Sequence, residues 1–167
     1  MGQNQRAEIR MSDAEVDEFL RTSRTMTMAT LGPQGRPHLV AMWFALVDGA
    51  PWFETKAKSQ KVRNLRRDPR ITCMVEAGDT YDQLRGVSLE GTAAIVEDPD
   101  MLWEVGVSVF ERYQGPFTEE LRPMVEVMLR SRVAVKVNVE RVASWDHRKL
   151  GMASMGEPGG TTAAGPS

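Results

Sequence analysis

The residues of this sequence best suited to chemistry are its basic ones, and they are bunched. Between Thr55 and Arg70 stand Lys56, Lys58, Lys61, Arg63, Arg66, Arg67 and Arg70, against the single acid Asp68. The whole chain carries a formal charge of -2, so the remainder is strongly acidic. An acidic body repels a long polyanion, which makes a discrete anionic ligand the expectation and excludes nucleic acid as a partner. A solvated helix face is the plainer reading of the same residues, and charge alone does not separate the two. Other chemistries are thinly supplied. Two histidines, His38 and His147, and the single Cys73 provide no cluster with the ligand count of a zinc site, so no metal is expected. No Gly-x-Ser-x-Gly elbow marks a nucleophile, and Asp146-His147 are sequence neighbours whose side chains point apart, so no catalytic side chain is assigned. No G-x-G-x-x-G follows a strand and no Walker motif is present. A reaction on this chain would take its chemistry from a cofactor.

The elements that must position the basic stretch are written in short-range patterns. Pro51 to Thr55 reads as a strand leading into it, and Ser59 caps a helix running to Arg67 with Val62 and Leu65 facing inward. Asp68-Pro69 stops that helix, because a residue before proline is pushed out of helical geometry. Upstream, Ser12-Asp13-Ala14-Glu15 is a capping box opening a helix with Val16, Phe19 and Leu20 on one side. Thr25 to Leu31 and Pro37 to Val47 read as two extended runs joined by Gly32-Pro33-Gln34-Gly35. With Pro51 to Thr55 they form an antiparallel meander whose tightest turn is Asp48-Gly49. Downstream come a strand over Ile71 to Glu76 and a long strand with Val87, Leu89, Gly91, Ala93 and Ile95 on one face. A helix from Asp98-Pro99 to about Tyr113 follows, then an amphipathic stripe of Leu121, Met124, Val125, Met128 and Leu129. Pro123 makes that helix either begin near Arg122 or kink in its first turn. Val133, Val135, Val137 and Val139 alternate with polar residues and Ala134 in the clearest strand of all.

A length of 167 residues fills one core. We divide the chain into an N-terminal arm (1–11), one cofactor-binding domain (12–152) and a flexible tail rich in Gly, Pro, Ser, Thr and Ala (153–167). No apolar run approaches the roughly 20 residues that span a bilayer, and the start lacks the apolar centre of a signal peptide. Met1-Gly2 opens like a myristoylation site, but Arg6 stands where that motif takes Ser or Thr. A cytoplasmic protein without a membrane partner is expected. One cysteine forms no intrachain bridge, and Cys73 reads as a buried thiol. Antiparallel strands without βαβ alternation give an α+β domain on an antiparallel barrel or curled sheet with flanking helices.

Three stretches carry a resemblance. The first is Ala29-Thr30-Leu31 with Gly35-Arg36-Pro37-His38 and Met42-Trp43-Phe44. The second runs Phe53-Glu54-Thr55-Lys56-Ala57-Lys58-Ser59-Gln60-Lys61 into Asn64-Leu65-Arg66-Arg67-Asp68-Pro69-Arg70. The third is Gly86-Val87-Ser88-Leu89-Glu90-Gly91. Together they resemble the split β-barrel flavin-binding family of the pyridoxamine 5'-phosphate oxidases, and within it the actinobacterial branch of deazaflavin (coenzyme F420)-dependent reductases. The resemblance covers about Ser12 to Leu150, and the second stretch is its most specific part.

The resemblance implies a homodimer with a cofactor in each of two grooves between subunits. It also implies that Thr55, Lys56, Lys58, Ser59, Lys61 and Asn64 grip the cofactor's phosphate or acidic tail, where helix amides and dipole favour anions. Val40, Ala41, Met42 and Trp43 would border the ring system, with Trp43 or Trp145 of the partner subunit closing the pocket. The oxidases that name the family place Arg and Lys at positions aligned here with Val40 and Ala45. Their C-terminal Arg and His pattern is not matched by Ser144 to Lys149 either, so vitamin oxidase activity is not expected. A basic stretch this rich suits the polyanionic deazaflavin, which carries a phosphodiester and several glutamates, better than it suits one phosphate. The expected function is an oxidoreductase that uses reduced F420 to pass a hydride to a small conjugated organic acceptor. The alternatives are an FMN-dependent oxidoreductase on the same fold and a non-catalytic F420-binding carrier or sensor.

Overall fold

The computed structural model describes residues 5–153; the expected tail, apart from Ala153, lies outside the described residues. In chain order the elements are α1 (Gln5–Glu8), α2 (Asp13–Thr22), β1 (Met26–Leu31), β2 (Pro37–Met42), β3 (Ala45–Val47), β4 (Ala50–Lys56), α3 (Gln60–Arg67), β5 (Arg70–Ala77), β6 (Arg85–Val96), α4 (Pro99–Gln114), α5 (Arg122–Leu129) and β7 (Arg132–Asp146). Two-residue alternation builds the sheet. In β5, Ile71, Cys73 and Val75 are buried while Arg70, Thr72, Met74 and Glu76 face out, and β1 buries Met26, Met28 and Thr30 in the same way. All seven strands pair antiparallel in one curled sheet of order β2-β1-β5-β6-β7-β4-β3. The fold is an α+β split β-barrel. Its core joins Met28, Phe44, Phe53, Val87 and Val135 to Val62 and Leu65 of α3 and to Val16 and Leu20 of α2.

Local signals resolve as their residues dictate. Ser12 and Glu15 make the reciprocal capping box, Ser12 N–H to Glu15 Oε2 at 2.7 Å and Glu15 N–H to Ser12 Oγ at 3.3 Å. Asp48 (φ 51°) and Gly49 (φ 75°) form the two-residue turn between β3 and β4, where both residues need positive φ to match strand twist. Pro123 sits in the first turn of α5, which begins at Arg122, so no kink arises. Cys73 is wholly buried, as expected, and burial pushes its thiol up to about 12, which makes it an inert sulfur.

Two expectations are corrected. The extended run Pro37 to Val47 is not one strand: it breaks at Trp43-Phe44, and β2 and β3 end on opposite edges of the sheet, so the meander does not form. The cause is the C-terminal end of α4. Phe44 is fully buried with the Arg112 guanidinium 4.3 Å over its ring, and its N–H donates to Tyr113 Oη at 3.2 Å. Tyr113 Oη in turn donates to the Arg24 carbonyl, and Trp43 stacks on the Tyr113 ring at 4.3 Å and 6°. The last strand is also longer than its valine alternation. A bulge at Glu140 shifts the β6–β7 register between Glu90 and Gly91, and pairing continues to Asp146.

Candidate functional site

The corner where β4 passes into α3 gathers the basic stretch. Ser59, in extended backbone, accepts the Val62 N–H on its hydroxyl and caps α3, while its own N–H donates to the Lys56 carbonyl at 2.9 Å. Ala57 N–H donates to the carbonyl of Ser131, at the turn into β7, and this fastens the loop to the neighbouring strand. The start of α3 therefore has a fixed place against β4 and β7, with its amide ends facing the loop.

The cations there divide into two groups. Arg63 donates to Gln60 Oε1 at 2.8 Å, Arg66 pairs with Glu97 at 2.5 Å, Arg67 donates to the Leu31 carbonyl, and Arg70 pairs with Asp68 at 2.6 Å. Those four arginines are engaged in holding the fold. Lys56, Lys58 and Lys61 have no side-chain hydrogen bond or ion pair among the described residues. Lys56 and Lys58 are exposed, as a ligand-gripping role requires, whereas Lys61 is half-buried. Burial and the nearby Arg132 charge hold the Lys61 ammonium below the usual lysine range, with Glu54 pulling the other way.

Glu54 and Arg132 are the parts of this corner that sequence reasoning missed as a pair. Lys56 lies directly across from Arg132, and Glu54 across from Ala134. Arg132 donates from Nη1 to Glu54 Oε2 at 2.6 Å, diagonally across the two strands. Glu54 is 7% exposed, and burial pushes its carboxyl above the ordinary range against the pull of Arg132. Arg132 Nε is buried without an acceptor, a donor left over at the edge of the site. An acid directly after the apolar run Pro51-Trp52-Phe53 was the one available hint; its partner, 78 residues away, had none.

The other expected site residues take different places. Thr55 is buried on the core side of β4. Asn64 is wholly buried, donating from Nδ2 to Thr30 Oγ1 at 3.0 Å and accepting from Gln60 at 2.8 Å, so its amide is spent tying α3 to β1. Val40 and Met42 lean on the core while Ala41 faces out, and the Trp43 ring is held by Tyr113. Trp145 lies at the far end of β7, its indole over Gly86, where a Cβ would come within 2.3 Å of the ring. One chain thus brings Lys56, Lys58, Ser59 and Lys61 together and leaves Trp145 apart, at the end of the barrel where a cavity of about 800 Å³ is lined by Phe19, Arg85, Asp146 and Arg148. Among the described residues no group of His, Cys, Asp and Glu could hold a metal, and no helix is long and apolar enough to cross a membrane.

The structure is thus an antiparallel split barrel with three unpartnered lysines beside the capped start of α3. The chain belongs to the pyridoxamine 5'-phosphate oxidase family, whose model matches residues 12–146. It is similar to a conserved hypothetical protein, Rv2991, of Mycobacterium tuberculosis, with 58% identity, a TM-score of 0.91, and coverage of 95% of this chain and 99% of that one. An F420 reductase is 28% identical with a TM-score of 0.58, over 75% of this chain and 94% of its own. The heme storage protein HutZ of Vibrio cholerae shares the fold at 20% identity and a TM-score of 0.62, over 78% of this chain and 92% of its own. No curated protein sequence matches the chain.

Proposed function

We propose that this protein is an oxidoreductase that holds coenzyme F420 and delivers a hydride to a small conjugated acceptor in a groove between two copies of the chain. The observation that carries this reading is the set of three unpaired lysines at the capped start of α3, with the partly exposed Arg132 side chain beside them. Such a donor set suits a phosphodiester followed by carboxylates, and it exceeds what one phosphate needs. The similarity to an F420 reductase supports the same choice within a flavin-binding family.

In this reading Lys56, Lys58, Lys61 and the first amides of α3 bind the anionic tail, and Arg132 is oriented by Glu54. Asn64 acts through the helix that it anchors. The backbone of Val40 to Trp43 borders the ring, and Trp145 of the partner subunit closes the pocket and excludes water. When bound, the cofactor supplies the hydride. The dimer face that we propose is the outer side of the sheet. Ala41, Thr27, Met74, Ser88 and Ala143 lie in one row across five strands, beside a second row that starts at Leu39. Leu39 is 62% exposed and Met74 37%, apolar surface that a second copy would cover. Titration of purified protein with F420 and with FMN in parallel, followed by tryptophan quenching or calorimetry, tests the reading. Tight and selective F420 binding is expected; preference for FMN would replace it with a flavin enzyme. Bound F420 that stays reduced against every acceptor offered would leave a carrier.

A further inference from the structure

Resting on the cofactor reading above, we propose that Glu54 sets the charge selectivity of the cradle. Its ion pair with Arg132 makes the corner a receptor for a singly charged phosphodiester and turns away a doubly charged phosphate monoester.

Glu54, Arg132 and Lys61 form one electrostatic unit. Arg132 spends Nη1 on Glu54 at 2.6 Å, and its side chain keeps 26% of its surface exposed, which leaves room for a second oxygen although its Nε is enclosed. Lys61, half-buried, is disfavoured in its charged form by burial and by Arg132, and is favoured by Glu54. Arg132, Lys61 and Glu54 by themselves, the inner and partly dehydrated part of the cradle, leave a single positive charge, while Lys56 and Lys58 stand outside it in water. A phosphodiester, with one negative charge, completes neutrality. A terminal phosphate carries nearly two at neutral pH, and the second would stand against the fixed Glu54 carboxylate where water screens it poorly. Lys56 and Lys58 are exposed, so solvent mutes their preference for the higher charge. F420 presents a diester and FMN a monoester, so one buried acid separates the two cofactors by charge. A merely structural Glu54, clamping β4 to β7, would alter stability or move both affinities together, and the affinity ratio distinguishes the roles.

The test compares the native protein with Glu54→Gln, which keeps the shape and a hydrogen-bond acceptor for Arg132. Each is titrated with F420, FMN and the cyclic phosphodiester of riboflavin, a singly charged form of the same flavin, at fixed ionic strength. We expect the native chain to prefer the two diesters over FMN, and Glu54→Gln to strengthen FMN relative to both by about tenfold or more. If Glu54→Gln melts below the working temperature, Arg132→Gln serves in its place. It should weaken all three ligands, FMN most, moving the ratio the opposite way. A native chain that binds none of the three overturns both this proposal and the cofactor reading. Binding of F420 or a flavin with ratios unchanged in the variant, or with no FMN binding gained, overturns the role of Glu54 alone.

Discussion

The two ends of this barrel both carry charged residues and use them differently. At the end formed by α2, β6 and β7, Arg148 grips Asp146 through two nitrogens at 2.9 and 2.6 Å, Lys149 pairs with Glu15 at 2.6 Å, and Arg85 lies 5.7 Å over the Phe19 ring. Each of these three cations is tied to a neighbour, and two of the ties join α2 to β6 and to the segment that follows β7. At the β4–α3 corner the arginines are tied in the same way but the lysines are left over. Paired charge holds structure, whereas a group of unpaired cations around a capped helix start repels itself until an anion arrives. Net charge says nothing of this difference; the partner list does.

The sharpest way to break the comparison is to remove the unpaired cations. Replacing Lys56, Lys58 and Lys61 together with Ala should weaken F420 binding by about a hundredfold or more, since each charge-assisted contact is worth about 1.5 kcal/mol or above. Calorimetric titration measures the loss, and an unshifted melting temperature shows that these side chains were not supporting the fold. Unchanged affinity would remove the site from this corner. At the paired end the expectation reverses. Asp146→Ala should cost about 1–2 kcal/mol in urea unfolding, because Asp146 is buried and charge-bonded while Arg148 is partly in water.

The same residue predicts a pH dependence. Hydrogen bonding to Arg148 holds the Asp146 carboxyl below the usual aspartate range. Its contribution to stability is therefore complete above the unfolded-state value and is lost as pH falls through the lowered folded-state value. Urea midpoints recorded between about pH 5 and pH 2 should fall less steeply in Asp146→Asn than in the native chain. Lys61→Met should be neutral or stabilising by a few tenths of a kcal/mol by thermal melting, since charged Lys61 sits against burial and Arg132. Smallest of all is Arg66→Ala, which breaks an exposed pair with Glu97 and should change stability by no more than about 0.2 kcal/mol and F420 affinity by less than about twofold.

Much of the fold was legible because its causes are local. Ser12, Ser59 and Asp98 cap helices through bonds to residues three places on, and Asp48-Gly49 turns the chain through its own φ angles. The site was half legible. Lys56, Lys58 and Lys61 stood out by type and spacing, but nothing in their neighbourhood said that Arg63, Arg66, Arg67 and Arg70 would be consumed by Gln60, Glu97, Leu31 and Asp68. Asn64 looked like a ligand-facing amide and is an internal fastener, because Thr30 arrives beneath it from 34 residues upstream.

By itself the sequence determined the strand periods, the helix starts and stops, and the basic stretch on an acidic chain, all properties of residues and their near neighbours. Only the tertiary structure decided that Trp43-Phe44 breaks a strand under Tyr113 and that β2 and β3 part to opposite edges. It also decided that Glu54 meets Arg132. These contacts follow from the register between strands distant in sequence, which is set by packing on both faces of the sheet and cannot be read from the alternation of any one strand.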